Sequence, residues 1–164
     1  MIAEIRPARA SDIDALVTIE NAVFQSDRIS RRSFQHLFRS GAATILVSGA
    51  GAAISGYTMV LYRKGSTVAR LYSIAVALRH SGSGIGKKLL EAAEQAACER
   101  GRMVLRLEVR EENERARRFY EKAGYRRIGR KEKYYQDGAA ALRFEKLLSG
   151  GPQDAVIPGE RAAS

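Results

Sequence analysis

The segment Val76–Leu90, VALRHSGSGIGKKLL, constrains this chain more than any other, because three glycines at alternate positions join an apolar, strand-like run to an amphipathic helix. Gly82, Gly84 and Gly86 remove side chains where the chain turns, so backbone can approach a ligand closely. The first amides of a helix are unpaired and lie at its positive end, which makes such a junction suited to an anion. Lys87 and Lys88 add positive charge beside it. A plain flexible connection would also fit a lone glycine cluster, so neighbouring motifs must decide. Two common nucleotide loops do not fit. A P-loop would need glycine at Ser81 and Ser or Thr at Lys88, and a dinucleotide fingerprint begun at Gly82 would need Gly or Ala at Lys87.

Around this junction the chain reads as one mixed α/β domain. Its 164 residues can bury one sizeable core and fall short of two ordinary domains. IAEIRPA reads as a short strand, and Ser11 followed by Asp14 signals a helix over about 12–23 with Ile13, Leu16, Val17 and Ile19 for the core. Ser30 is placed to cap a basic helix near 31–39, whose apolar stripe is Phe34, Leu37 and Phe38. ATILVS and SGYTMVLYR follow as strands around a Gly/Ala-rich hairpin, SGAGAAI, and RLYSIAVAL is a third such run. From Ile85, the residues Leu89, Leu90, Ala93 and Ala97 recur at helical spacing, with Gly101 placed to stop the helix. MVLRLEVR alternates, setting Met103, Leu105, Leu107 and Val109 on one face and Arg106, Glu108 and Arg110 on the other. Asn113 can cap the helix ERARRFYEKA, which Gly124 ends, and two last strands, near YRRIGRKEKY and AALRFEKLL, flank the turn QDG. Consecutive strands before the central helix favour an α+β sheet over strict βαβ alternation. The domain is expected over 1–148, with SGGPQDAVIPGERAAS, 149–164, as a disordered tail.

Lys and Arg outnumber Asp and Glu by 28 to 18, a net charge of +10, so acidic partners are open: nucleic acid, an anionic cofactor or an acidic peptide. The arginines are spread through 28–39, 106–118 and 126–133, a pattern that a solvated basic face also gives. Cys98 is the single cysteine and His36 and His80 the only histidines, so neither an intramolecular disulfide nor a metal site is expected. No run reaches the length of a membrane span and MIAEIRPARASD lacks the apolar core of a signal peptide, so a cytoplasmic location is expected, with no membrane partner.

Four segments, LYSIAV, the glycine loop, LEVREEN and RRFYEKAGY, together resemble the GNAT family of acyl-CoA-dependent N-acetyltransferases. The resemblance covers most of 1–148. It implies a mixed, mostly antiparallel central sheet flanked by helices and splayed between the strands ending near Val76 and Val109. It also implies acetyl-CoA as cosubstrate, with Gly82, Ser83, Gly84, Ile85, Gly86 and Lys87 lining the pyrophosphate and the backbone of Ile74, Ala75 and Val76 pairing with the pantetheine arm. The family loop pattern, Gln or Arg followed by two spaced small residues, maps onto Ser81, Gly84 and Gly86. Ser81 lacks the long polar side chain of that pattern, and Leu78 replaces a proline often found before the loop. Within the family, LEVREENERARRFYEKAGY and KYYQDGAAALRFEK are most similar to N-terminal protein acetyltransferases, in particular the bacterial enzymes for ribosomal-protein alanine. That similarity places Glu108 as general base, Asn113 as a CoA contact and Tyr120 as general acid. It sets Phe24, Tyr72, Tyr134 and Tyr135 around an acceptor peptide.

An amine attacks a thioester only when neutral. At pH 7 about a tenth of α-amino groups with a pKa of about 8 are neutral, against well below about one per cent for lysine near 10.4. A protein N-terminus, on a ribosomal protein for instance, is therefore the favoured acceptor, with direct transfer in a ternary complex. The same cofactor site would serve an enzyme acting on lysine side chains or small amines. A third reading is a module without catalysis that senses CoA or meets nucleic acid through a non-specific basic surface. Each candidate also has a structural reading: Glu108 could pair with Arg106 or Arg110, Tyr120 could pack on its helix, and Asn113 caps a helix in either case.

Overall fold

The computed structural model describes residues 4–50 and 53–148; the 149–164 segment, read as a tail, and positions 51–52 of the SGAGAAI hairpin lie outside the described residues. Seven strands, β1 (Ile5–Pro7), β2 (Ala43–Ala50), β3 (Ala53–Tyr62), β4 (Val68–Val76), β5 (Val104–Arg110), β6 (Arg126–Lys131) and β7 (Ala141–Leu147), form one sheet. Their order is β1-β2-β3-β4-β5-β7-β6. Neighbours run antiparallel except β4 and β5, which are parallel.

Helices α1 (Ile13–Val23), α2 (Arg31–Ser40), α3 (Ile85–Glu99) and α4 (Glu114–Lys122) cover the two faces. On one face Leu16 and Phe34 pack with Val47, Tyr57, Met59 and Ala75. On the other, Leu90, Ala93 and Ala97 of α3 and Tyr120 of α4 pack with Val60, Leu71, Leu105 and Leu107. The architecture is thus the mixed, mostly antiparallel sheet flanked by helices that the sequence implies.

Local signals act where the side chains allow. Ser30 Oγ accepts from the Ser33 N–H at 3.1 Å and Asn113 Oδ1 from the Ala116 N–H at 3.1 Å, so both cap their helices. Ser11 does not. It lies within a short 3-10 turn, Ala10–Asp12, and the reciprocal bond is made by Asp12, which accepts from the Arg9 N–H at 2.7 Å and from Arg6 at 2.8 Å. Met103 also departs from the alternating face: it precedes β5, bonds its N–H to the Thr67 carbonyl and is 52% exposed, whereas Leu105, Leu107 and Val109 are buried.

The sheet parts between its two parallel strands. β4 and β5 are paired only over Val68–Arg70 and Val104–Arg106. Just beyond, β4 carries one extra residue, Tyr72, against β3, because Ser73 faces Met59 while Leu71 faces Val60. A bulge bends its strand and sharpens the twist, which turns β4 away from β5 where the pairing stops. The Ala77 N–H donates to the Ser55 carbonyl at 2.7 Å, so the alternation of an antiparallel ladder also aims the Ala75 backbone at β3, towards Tyr57. The backbone groups of Ile74 and Val76 consequently face the split.

Candidate active site

The split opens a cavity of about 810 Å³. At one end lie Val76, Gly86, Asn113 and Arg115; Ile74, Glu108 and Tyr120 form its middle; Phe24, Asp27, Tyr134 and Tyr135 close the other end. Gly82 and Gly84 adopt φ of 79° and 88°, the left-handed region open to glycine, and Gly84 sits at the N-cap of α3. A Cβ built on either would meet nothing within 4 Å, so both face open space. Of the loop residues singled out in the sequence, Gly86 lines the cavity itself, while Gly82, Ser83, Gly84, Ile85 and Lys87 lie on the turn and helix start leading into it. Ala75 is buried away from the cavity, against the α1–α2 layer.

Glu108 stands on β5 with its side chain 8% exposed. Its Oε1 accepts from Arg70 Nε at 3.0 Å and from the Tyr134 hydroxyl at 3.4 Å, and its Oε2 accepts from Arg143 Nε at 3.2 Å. Arg106 and Arg110 are not its partners. They share its face of the strand, but each is engaged elsewhere: Arg106 with Glu145, and Arg110 with Asp137. Arg143 lies opposite Glu108 in the β5–β7 register. Tyr120 is buried at 7% exposure with its ring edge-on to Phe119 and Tyr125, at 5.1 and 5.7 Å. Burial first, and then the neighbouring Tyr135, push its hydroxyl well above the usual tyrosine value, so the phenol keeps its proton.

The aromatic end is continuous with this pair. Tyr134 and Tyr135 meet edge to face, 4.9 Å apart, with the Tyr134 hydroxyl also accepting from Arg70. Arg110 lies 4.4 Å over the Tyr135 ring, and burial raises the Tyr135 hydroxyl to about 12. Tyr72, 43% exposed, stands 5.3 Å from the Arg70 guanidinium, and Phe24 follows the last turn of α1. The four aromatic residues expected around an acceptor thus share one cavity with Glu108, Tyr120 and Asn113.

Besides Arg70 and Arg143, two further features escaped the sequence reading. Glu20, 2% exposed on α1, lines the cavity and accepts from the Ile29 N–H at 2.8 Å and from the Tyr57 hydroxyl, which also bonds Ser73 Oγ at 2.9 Å. Burial raises its carboxyl above the usual range. An acid beside Ile19 and one turn after Leu16, inside an apolar stripe, was the available signal. The other feature is the reach of Arg110, which donates to Ser26 Oγ at 2.9 Å and to Asp137 Oδ2 at 2.9 Å. Because Gln136 N–H donates to Asp27 Oδ1 at 3.2 Å as well, the α1–α2 and β6–β7 connections are tied together.

A mixed sheet parted between two parallel strands, with a glycine turn entering a helix at one end of the gap, defines the class of acyl-CoA-dependent acetyltransferases. The chain belongs to the GNAT family: the model of the acetyltransferase (GNAT) domain matches residues 10–148. It is similar to N-alpha-acetyltransferase 30 of Schizosaccharomyces pombe, 35% identical over 71 residues that cover 43% of this chain and 47% of that protein. It is also similar to N-alpha-acetyltransferase RimI of Mycobacterium tuberculosis, 34% identical over 105 residues, 60% of this chain and 65% of that one. The alignments therefore span from about half to just under two thirds of these relatives' lengths. The fold matches the crystal structure of the ribosomal-protein-S18-alanine N-acetyltransferase from Escherichia coli with a TM-score of 0.80, over 93% of this chain and 98% of that one at 22% identity. Among the described residues no three His, Cys, Asp or Glu side chains gather as a metal site, and no helix is long and apolar enough to cross a membrane.

Proposed function

We propose that this chain transfers the acetyl group of acetyl-CoA directly to the free α-amino group of a protein N-terminus in a ternary complex, with ribosomal proteins among the candidate acceptors and the cytoplasm as its setting. The observation that carries this reading is one cavity in which a glycine-flanked end and an aromatic end meet across Glu108 and Tyr120. The names of the similar proteins, all N-acetyltransferases and several of them acting on N-termini or ribosomal protein, support the acceptor class.

The residues present fit acetyl-CoA. Open space lies over Gly82 and Gly84 at the mouth of α3, and the β4 edge beyond Arg70 is unpaired by β5. Bound there, acetyl-CoA supplies the thioester carbonyl. The Gly82–Lys87 turn offers amides and positive charge to the pyrophosphate, with Asn113 beside it. Ile74 and Val76 offer backbone groups to the pantetheine arm and an N–H to the oxyanion that develops at the carbonyl. Ala75, whose backbone faces β3, contributes packing.

Glu108 accepts the proton of the attacking amine, directly or through one water, while Arg70 and Arg143 hold its carboxylate at the middle of the cavity. Tyr120 returns a proton to the departing thiolate. Burial that raises its phenol also raises the proton affinity of a thiolate beside it, so the transfer stays matched. Phe24, Tyr72, Tyr134 and Tyr135 hold the acceptor peptide.

Acetyl-CoA consumption against short peptides with free or blocked N-termini, with lysine peptides and small amines alongside, tests this reading. Turnover that requires a free N-terminus is expected. Preference for lysine side chains or small amines overturns the acceptor class, and nucleic-acid binding with no turnover of any amine overturns catalysis altogether.

A further inference from the structure

We propose that Arg115 of α4 supplies the phosphate-binding side chain that the glycine loop itself lacks, so that the cofactor pyrophosphate is gripped from across the cavity mouth. The inference rests on acetyl-CoA being the cosubstrate. The loop opens with Ser81, too short to reach beyond its own turn, where the family pattern carries Gln or Arg. Arg115 Nη2 lies 3.4 Å from Ser81 Oγ, and the same side chain lines the cavity beside Gly86 and Asn113.

The start of α4 explains this placement. Asn113 caps the helix through the Ala116 N–H, which puts Arg115 in the first turn, facing the loop. Its helical neighbours are occupied otherwise: Arg117 and Arg118 both reach Glu114, at 3.7 and 3.5 Å. Among the described residues Arg115 forms no ion pair with a carboxylate. A guanidinium left facing a neutral hydroxyl at the long end of hydrogen-bonding distance exchanges that partner readily for a charged one. Its planar fork matches two phosphate oxygens, and a charge-assisted pair is about twice as strong as a neutral hydrogen bond. A grip on phosphate that serine at position 81 is too short to make is thereby provided by a different element.

Calorimetric titration of the full chain with CoA tests the assignment without reference to turnover. Arg115→Ala is expected to weaken binding by about tenfold, as removal of a charge-assisted hydrogen bond to phosphate does. Because Arg115 is exposed, the melting temperature of the ligand-free chain should not move. Adding Ser81→Arg to the Arg115→Ala variant should restore affinity, and titration with 3′-dephospho-CoA should show the same weakening on Arg115→Ala. Unchanged affinity in Arg115→Ala, failure of Ser81→Arg to restore it, or a weakening confined to CoA and absent with 3′-dephospho-CoA, which would place Arg115 on the 3′-phosphate, each overturns the proposal. Failure of the unaltered chain to bind CoA overturns the cofactor reading instead.

Discussion

Glu108 is held by two guanidinium groups and a tyrosine at once, so removing its charge must be separated from removing its shape. Glu108→Gln keeps the shape and one acceptor oxygen. It is expected to lower kcat by about a hundredfold or more while CoA affinity stays within about twofold, the signature of a missing proton acceptor. An equal fall in CoA affinity would make Glu108 a brace for Arg70 and Arg143 instead. Tyr120→Phe deletes one oxygen from a buried ring and should produce the same split between kcat and CoA binding. The pH dependence follows from the direction of the Tyr120 shift. Its hydroxyl is held above the usual tyrosine value, so the rate should climb as the acceptor amine loses its proton, near pH 8, and should not fall again before about pH 10. A descending limb below that point, absent in Tyr120→Phe, would contradict the burial-raised phenol. At this scale Glu108 and Tyr120 were legible through the LEVREEN and RRFYEKAGY segments. Arg70 and Arg143 were not, because strand register brings them to the cavity and no spacing along the chain encodes it, and Glu20 showed only as an acid inside the apolar stripe of α1.

The elements that local chemistry specifies were readable. Leu89, Leu90, Ala93 and Ala97 fall on the buried stripe of α3, and Ser30 and Asn113 cap α2 and α4 as their side chains allow. The capping signal at Ser11 failed because a 3-10 turn intervenes and Asp12 takes the bond. The β4–β5 split was legible only as a family resemblance; its physical origin, the extra residue at Tyr72, needs the register against β3. Connections are where sequence is weakest, and here Arg110 on β5 joins two of them. It reaches Ser26 after α1 and Asp137 before β7, and both connections carry aromatics that line the cavity, Phe24 and Tyr135, which the proposed function sets around the acceptor. Arg110→Ala should therefore raise the KM for an acceptor peptide by about tenfold with kcat altered by less than about threefold and CoA affinity unchanged. Arg110→Lys should recover only part of the effect, since one ammonium nitrogen replaces the two guanidinium nitrogens that reach Asp137 and Ser26 separately. Unchanged peptide KM in Arg110→Ala would show that the two connections hold their places without the bridge.

At the scale of the whole molecule, the sheet is divided as well as joined by its central pair of strands. Three residue pairs link β4 to β5, and beneath them Leu71, Leu90, Leu105 and Leu107 share one core. Beyond those pairs the β1–β4 half and the β5–β7–β6 half face each other across the cavity without backbone pairing. On the proposed reading, CoA lodged there would hydrogen-bond to the free edge of β4 and touch α4 on the other side, acting as a missing strand. Binding to the folded chain alone stabilises it by about 2.7 kcal/mol at a ligand concentration of about a hundred times Kd. For a chain of this length that corresponds to a rise in melting temperature of about 5–10 °C. The gain should also be localised. Hydrogen exchange with CoA present is expected to slow at Ile74 and Val76, whose amides face the split, more than at Ala75, which is already directed at β3. Uniform protection of all three amides would mean that ligand binding tightens the domain as a whole, and protection of none would remove the β4 edge from the cofactor site.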